Sequence, residues 1–148
     1  MVNRSMPPGT IIPELVYSDL ATAVDWLCKA FGFKERLRIG NHRSQLVFHG
    51  ASVIVVGKSG DHPSHVSDVA SLQRLQGGVT HSLMVQVPDV DQHYEHVKQS
   101  GAHILLPSET YPFGERQYTV EDTGGHRWTF TQSVADVAPE EWGGQPVL

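Results

Sequence analysis

The stretch Val79–Gly101, VTHSLMVQVPDVDQHYEHVKQSG, decides how this chain is read. Its first half alternates. Leu83, Val85 and Val87 fall on one side and Ser82, Met84 and Gln86 on the other, the period-two pattern of a strand with one buried face. Asp89 then stands where a helix needs an N-cap, because a side-chain oxygen there can accept a backbone N–H that the first turn leaves without a partner. Val90, Tyr94 and Val97 share one helical face, and Gly101 supplies the stop. Strands are predicted to follow at Ala102–Leu106, Arg116–Asp122 and His126–Gln132, with Gly124-Gly125 turning the chain between the last two. Val79–Val87 with these elements makes one β-α-β-β-β unit.

The same order occurs upstream. Ile11–Tyr17, IIPELVY, reads as a strand, and Ser18 and Asp19 are good N-caps. Leu20, Val24, Leu27 and Phe31 form an apolar helical stripe that Gly32 ends. Strands are predicted at Lys34–Ile39, Arg43–His49 and Ala51–Gly57, with turns at Gly40-Asn41 and His49-Gly50. Asp19 answers Asp89, and Gly32 answers Gly101, at nearly the same offset; the repeat is one of pattern and punctuation rather than identity.

Such a unit covers one sheet face with its helix and leaves the other bare. Two units can set their bare faces toward each other. The predicted fold class is therefore α+β, two β-α-β-β-β modules forming a curved, half-open mixed sheet around a cavity. The whole chain, 1–148, is expected to be one such domain: module one at 11–57, a linker at 58–78, module two at 79–132 and a C-terminal tail at 133–148. In the linker, Ser67 or Asp68 is placed to cap a helical turn or two with Val69, Leu72 and Leu75 inward. Trp142 in the polar tail is expected to dock, either on its own domain or on a second subunit.

Bulk properties narrow the function classes. The 148 residues are 39% hydrophobic with a formal net charge of −5, and the isoelectric point is about 5.9. No Lys/Arg-dense run is visible, so nucleic acid and anionic membrane surfaces are poor partners. A single cysteine, Cys28, excludes an internal disulfide and fits a reducing compartment. It sits in an apolar helical pattern and reads as a small buried residue. The N-terminal MVNRSMPPGT has no apolar h-region, and no run approaches the roughly 20 apolar residues of a membrane span. A cytoplasmic location is the expectation. No Gly-x-Ser-x-Gly elbow, Cys-His pair or phosphate-cradling loop is present.

The segments PELVYSDLATAVDWLCKAFGF, HSLMVQVPDVDQHYEHVKQSGA and YPFGERQYTVEDTGGHRWTFTQ, together with the order of elements, resemble the vicinal oxygen chelate superfamily of glyoxalase, bleomycin-resistance and extradiol dioxygenase proteins, in a bacterial glyoxalase-like branch. The resemblance spans nearly the whole chain. It implies paired modules, commonly a homodimer, and either a metalloenzyme or a metal-free drug-sequestering protein; which of these holds must be argued from the site. In metal-dependent members the ligands lie on the first and last strands of each module. Those positions fall on or near Ile12 and Val55, and on or near Ser82 and Thr129, none of which offers the imidazole, carboxylate or thiolate that a divalent metal needs. No metal and no cofactor are therefore expected. A shift of one or two residues brings in Glu14 and His81 as a fallback pair, because such a slip changes the face a strand residue shows. Otherwise His81 reads as a packing histidine beside Leu83.

Alternation places Ile12, Glu14 and Val16, Ser82, Met84 and Gln86, and Arg127, Thr129 and Thr131 on the pocket face. Glu14 reads as one half of an ion pair with Arg116 or Arg127, or as a general base. Tyr111, Phe113 and Tyr118, around the Pro112/Gly114 turn, are candidates for an aromatic edge, and His49 for the rim. His93 and His96 read as a solvated helix face. A mixed apolar lining with a few polar heads is the usual make-up of a small-molecule site. The leading expectation is a metal-independent binder that sequesters a hydrophobic or aromatic compound as a homodimer. The alternative is a lyase, isomerase or dioxygenase with a divergent metal site or Glu14 as base.

Overall fold

The computed structural model describes residues 4–57 and 81–146. The chain divides into two compact units, Met1–Gly78 and Val79–Leu148. The linker helix expected near Ser67 lies outside the described residues.

In the first unit β1 (Glu14–Tyr17) leads into α1 (Leu20–Trp26), then β2 (Lys34–Ile39), β3 (Arg43–Phe48) and β4 (Ala51–Gly57). The sheet order is β1-β4-β3-β2, with β1 parallel to β4 and the other pairs antiparallel. β1 begins at Glu14 rather than Ile11. Pro13 has no N–H to give the ladder, although its carbonyl accepts from the Ile54 N–H at 2.8 Å, and Ile11 is exposed. The expected stripe Leu20, Val24, Leu27 and Phe31 is buried. α1 does not run straight through it: Leu27–Phe31 forms a π turn that Gly32 closes at φ +89°. Asp19 occupies the N-cap, but its carboxylate accepts from the Thr22 hydroxyl and caps no backbone N–H.

Alternation sorts the first sheet into two faces. Leu15, Tyr17, Leu46, Val53 and Val55 are buried on the face of α1. On the opposite face Val16, Ile54 and Val56 cluster, with Ile12 against them. A bulge in β2 between Glu35 and Leu37 inserts Arg36 as an extra residue. Arg36 lies on the open face, opposite to Glu35, where its guanidinium donates to Gln45.

In the second unit β5 (Ser82–Gln86) is followed by α2 (Val90–Gln99), β6 (His103–Thr110), β7 (Glu115–Glu121) and β8 (Arg127–Ser133). The order β5-β8-β7-β6 repeats that of the first sheet, again with its first and last strands parallel. The Asp89 side chain accepts from the Gln92 N–H at 3.1 Å, the capping its position promised. The core holds Val90, Val97, Tyr118, Val120, Trp128 and Phe130, each at most 1% exposed. β6 runs on to Thr110 through Pro107, which an edge strand tolerates, and its register shifts twice on the way.

The β7–β8 turn is built on Asp122. One oxygen accepts from the Gly124 and His126 N–H groups and the other from Trp128 Nε1, all at 2.9 Å. Beyond β8 the tail returns over the β6–β7 turn, where the Gly114 carbonyl accepts from the Val134 and Ala135 N–H groups. Gly114 has φ +88°, and a Cβ there would lie 2.1 Å from the Ala135 carbonyl oxygen, so glycine is required twice over. Trp142 docks on its own unit, edge-on to Phe113 at 5.8 Å. The fold class is thus α+β, two open four-stranded mixed sheets of matching order.

Candidate functional site

In the first unit the segment from Arg4 to Thr10 passes over the open sheet face. A pocket of about 470 Å³ lies there, within the usual range of roughly 300–1,000 Å³ for a small-molecule site. Ser5, Met6, Pro7 and Thr10 wall it on one side; Ile12, Glu14, Ile39, Arg43, Gln45 and Ile54 wall it on the other. The lining is half apolar and half polar, and it holds one charged pair, Glu14 and Arg43, whose guanidinium donates to the carboxylate. Glu14 thus has the ion-pair role anticipated for it, but its partner is neither Arg116 nor Arg127. Arg43 opens β3 and faces the same way as Glu14 through the shared β4 register, in which Glu14 meets Ile54 and Arg43 meets Val56.

Gln45 is 3% exposed and Ser52 is 4% exposed. Gln45 Nε2 donates to the Ser5 carbonyl at 2.7 Å, and Ser52 Oγ to the Pro8 carbonyl at 2.6 Å. Arg36 Nη2 donates to the Arg4 carbonyl at 3.0 Å, and Nη1 donates to Gln45 Oε1. These contacts tie the crossing segment to β2, β3 and β4. They join residues far apart in sequence, so no local period announces them.

In the second unit Ser82, Met84, Arg127 and Thr129 occupy the bare face as expected from alternation, with Met84 63% exposed. Thr129 and Thr119 share a hydroxyl hydrogen bond at 2.8 Å. Beside them Glu115 accepts from Thr131 Oγ1 at 2.7 Å and from Gln117 Nε2 at 3.1 Å. Glu115 lies one residue before the strand expected at Arg116–Asp122, so alternation within that strand does not reach it.

Several expected site residues lie elsewhere. Tyr118 is 1% exposed and faces α2, because it shares the period of Val120 on β7. Its hydroxyl meets His93 Nδ1, and its ring stacks on Phe130. Burial pushes the Tyr118 phenol well above its ordinary value. His93 accordingly is no solvated residue; its ring lies 4.2 Å from that of Phe130. Arg116 also faces α2, where its Nε donates to Asp91 at 2.8 Å. The Ser108 hydroxyl and Arg116 hold the Asp91 carboxyl below its ordinary value. Tyr111 and Phe113 stack at 5.5 Å and serve as the platform for Trp142. His49 is an exposed turn residue at φ +46°, its ring edge-on to Phe48. Cys28 is half-buried rather than buried, and desolvation followed by the Glu35 carboxylate raises its thiol.

The strand positions that would hold a metal carry a poor donor set. Val55 is fully buried under α1, one residue out of register with the open face; Ile54 and Val56 face that side instead. β5 offers Ser82 and Met84, and β8 offers Thr129 and Thr131. The carboxylate on β1, Glu14, is already engaged by Arg43. His81 is exposed just before β5, with its ring 5.9 Å from that of His126, and does not pack beside Leu83. Among the described residues no three His, Cys, Asp or Glu side chains converge. Imidazole and carboxylate are what a divalent cation needs, and these strands do not present them together. Among the described residues no helix is long and apolar enough to cross a membrane.

A duplicated β-α-β-β-β chain, with one helix-covered and one open face per sheet, defines the class. The particular family follows from comparison: the Glyoxalase/Bleomycin resistance protein/Dioxygenase superfamily model matches residues 11–130, and the chain belongs to that superfamily. An uncharacterised protein of Mycobacterium tuberculosis, Rv0887c, is 30% identical over 132 residues, 87% of this chain and 77% of that one. Among solved structures, TioX from Micromonospora sp. ML1 is 37% identical with a TM-score of 0.67, covering 85% of this chain and 99% of TioX. The fosfomycin resistance protein FosX from Listeria monocytogenes shares the fold at 18% identity and a TM-score of 0.62, covering 86% of this chain and 94% of FosX.

Proposed function

We propose that this protein binds a small, largely hydrophobic or aromatic compound and sequesters it, without a metal and without making or breaking a bond. The observation that carries the reading is the module-one pocket, whose walls mix the apolar Met6, Pro7, Ile12, Ile39 and Ile54 with Ser5, Thr10, Gln45 and the Glu14–Arg43 pair. Its walls supply apolar area for affinity and one charged pair for orientation. Membership in a superfamily whose name includes resistance proteins is consistent with sequestration. On the open face of module two, Ser82, Met84, Arg127 and Thr129 are available as further binding residues. A homodimer and a cytoplasmic location belong to the same proposal.

The enzymatic alternative needs a base or a metal. Glu14 is its candidate base, and the Arg43 guanidinium already occupies that carboxylate. Calorimetric titration of a panel of aromatic and aliphatic carboxylates, amides and hydrocarbons tests the binding reading. A hit is expected to lose roughly ten- to hundred-fold in affinity in Arg43→Ala, the worth of one charge-assisted contact. Turnover of any hit, or a stoichiometric metal in protein purified without additives, refutes the reading. Light scattering tests the dimer; a strict monomer removes it from the proposal.

A further inference from the structure

We propose that Arg36, Gln45 and Ser52 form a recognition row for a chain of carbonyl oxygens, and that the N-terminal segment Arg4–Thr10 is its built-in occupant, displaced when an amide- or ester-bearing ligand enters. This rests on the binding function proposed above and adds the chemistry of the ligand.

The three side chains stand on three adjacent strands, β2, β3 and β4, and each donates to a main-chain carbonyl of the segment: those of Arg4, Ser5 and Pro8. No side chain of the segment supplies an acceptor in these three bonds. What the row reads is therefore the spacing of carbonyls and not the identity of residues. Any chain that brings carbonyl oxygens to the positions of those of Arg4, Ser5 and Pro8 presents the same face to it. Arg36 reaches the row from the open face of β2, where it also donates to Gln45 Oε1.

The segment has the character of a replaceable occupant. Pro7 is its one buried side chain, while Met6 is 57% exposed and the neighbouring Ile11 is 88% exposed. The segment turns at Arg4–Ser5 and bends at Met6, Pro8 and Thr10, and its two prolines, Pro7 and Pro8, remove two backbone donors, so it lies on the sheet without joining its ladder. Gln45 and Ser52, in contrast, are buried and need acceptors, and among the described residues no buried side-chain polar atom lacks a partner. A bare departure of the segment leaves those donors to water, whereas exchange for a ligand's carbonyls leaves the hydrogen-bond count unchanged. Exchange is the lower-cost route, and it opens the pocket that the segment walls.

The test uses the full chain carrying 13C-methyl methionine, read through the Met6 methyl resonance, which is assigned with Met6→Leu. The probe is the acetylated heptapeptide RSMPPGT, a free copy of residues 4–10. Tethering gives the built-in segment an effective concentration on the order of millimolar, so the free peptide must reach that range to compete. The expected result is a saturable shift of Met6 toward its free-chain position at a few millimolar peptide. Gln45→Leu combined with Ser52→Ala is expected to release Met6 without peptide while the Met84 methyl stays in place, showing that module two remains folded. A Met6 signal unmoved by peptide at about ten times the effective concentration overturns the proposal. So does a Met6 that stays docked in the double variant. If either occurs while an aromatic compound still binds, this inference falls and the binding function stands; if no compound of any class binds, the binding function itself has failed.

Discussion

Replacing Asp122 by alanine removes the acceptor for three donors at once: the Gly124 and His126 N–H groups and Trp128 Nε1. The three losses are unequal. Gly124 is exposed and His126 is half-buried, so water can reach both backbone groups once the carboxylate has gone. Each then costs about 1 kcal/mol, the net worth of an ordinary hydrogen bond. Trp128 is fully buried, and its Nε1 has no such recourse. An unsatisfied buried donor costs roughly 1–3 kcal/mol. The expected destabilisation is about 3–5 kcal/mol. For a chain of this size that corresponds to a fall in melting temperature of roughly 6–20 °C. Urea unfolding followed by near-ultraviolet circular dichroism measures it. Trp128→Phe removes the buried donor and keeps a large ring, so in its background Asp122→Ala should cost less by about 1–3 kcal/mol. A cost for Asp122→Ala below about 1 kcal/mol, or no coupling to Trp128, refutes the view that this carboxylate pins the turn.

Four further outcomes follow from the same structure. Gly114→Ala drives a Cβ into the Ala135 carbonyl at a positive φ and is expected to release the tail, seen as a red-shifted Trp142 emission; an unchanged spectrum contradicts it. Tyr118 is held protonated by burial, so above its unfolded value near pH 10 the unfolded state sheds a proton that the native state keeps. Stability is therefore present below that pH and lost above it, at up to about 1.4 kcal/mol per pH unit, and Tyr118→Phe should flatten the decline. Arg116→Ala should leave ligand affinity unchanged, because that guanidinium serves Asp91 on the helix side, whereas Arg43→Ala weakens it; equal effects argue against the placement of the site. The Asp91 carboxyl is held below its ordinary value by Ser108 and Arg116. Its small contribution is present at neutral pH and disappears as pH falls through the depressed value. Acid titration of Asp91 by NMR in Ser108→Ala should bring it back up.

The modules were legible because their signals are local. Lys34–Ile39 and Ala51–Gly57 have the bounds expected from the turns around them, and Gly32 and Gly101 end their helices at positive φ. Local reading failed where a face had to be chosen from a turn. Tyr118 was grouped with Tyr111 and Phe113 by proximity in sequence, and Arg116 was offered as a partner for Glu14, yet the period of β7 puts both with Val120 under α2. Val55 failed by a single residue, enough to reverse its face. The strap across module one was invisible for a different reason. Its bonds to Arg36, Gln45 and Ser52 join chain segments with no shared pattern, and Gln45 looks like any polar strand residue until its partner is seen. Arg43 was missed as the partner of Glu14 for the same cause.

In each sheet the opening strand lies alongside the closing one: Glu14 faces Ile54, and Ser82 faces Arg127. Neither pairing can form while the chain is still short. During synthesis β1 must wait for β4 to emerge, and β5 for β8, so each module assembles late and as a whole. A premature stop anywhere before Gly57 strands β1 with an unpaired edge and exposes the apolar stripe of α1. Truncated products of this protein should consequently be targets for chaperones or proteases rather than small functional fragments.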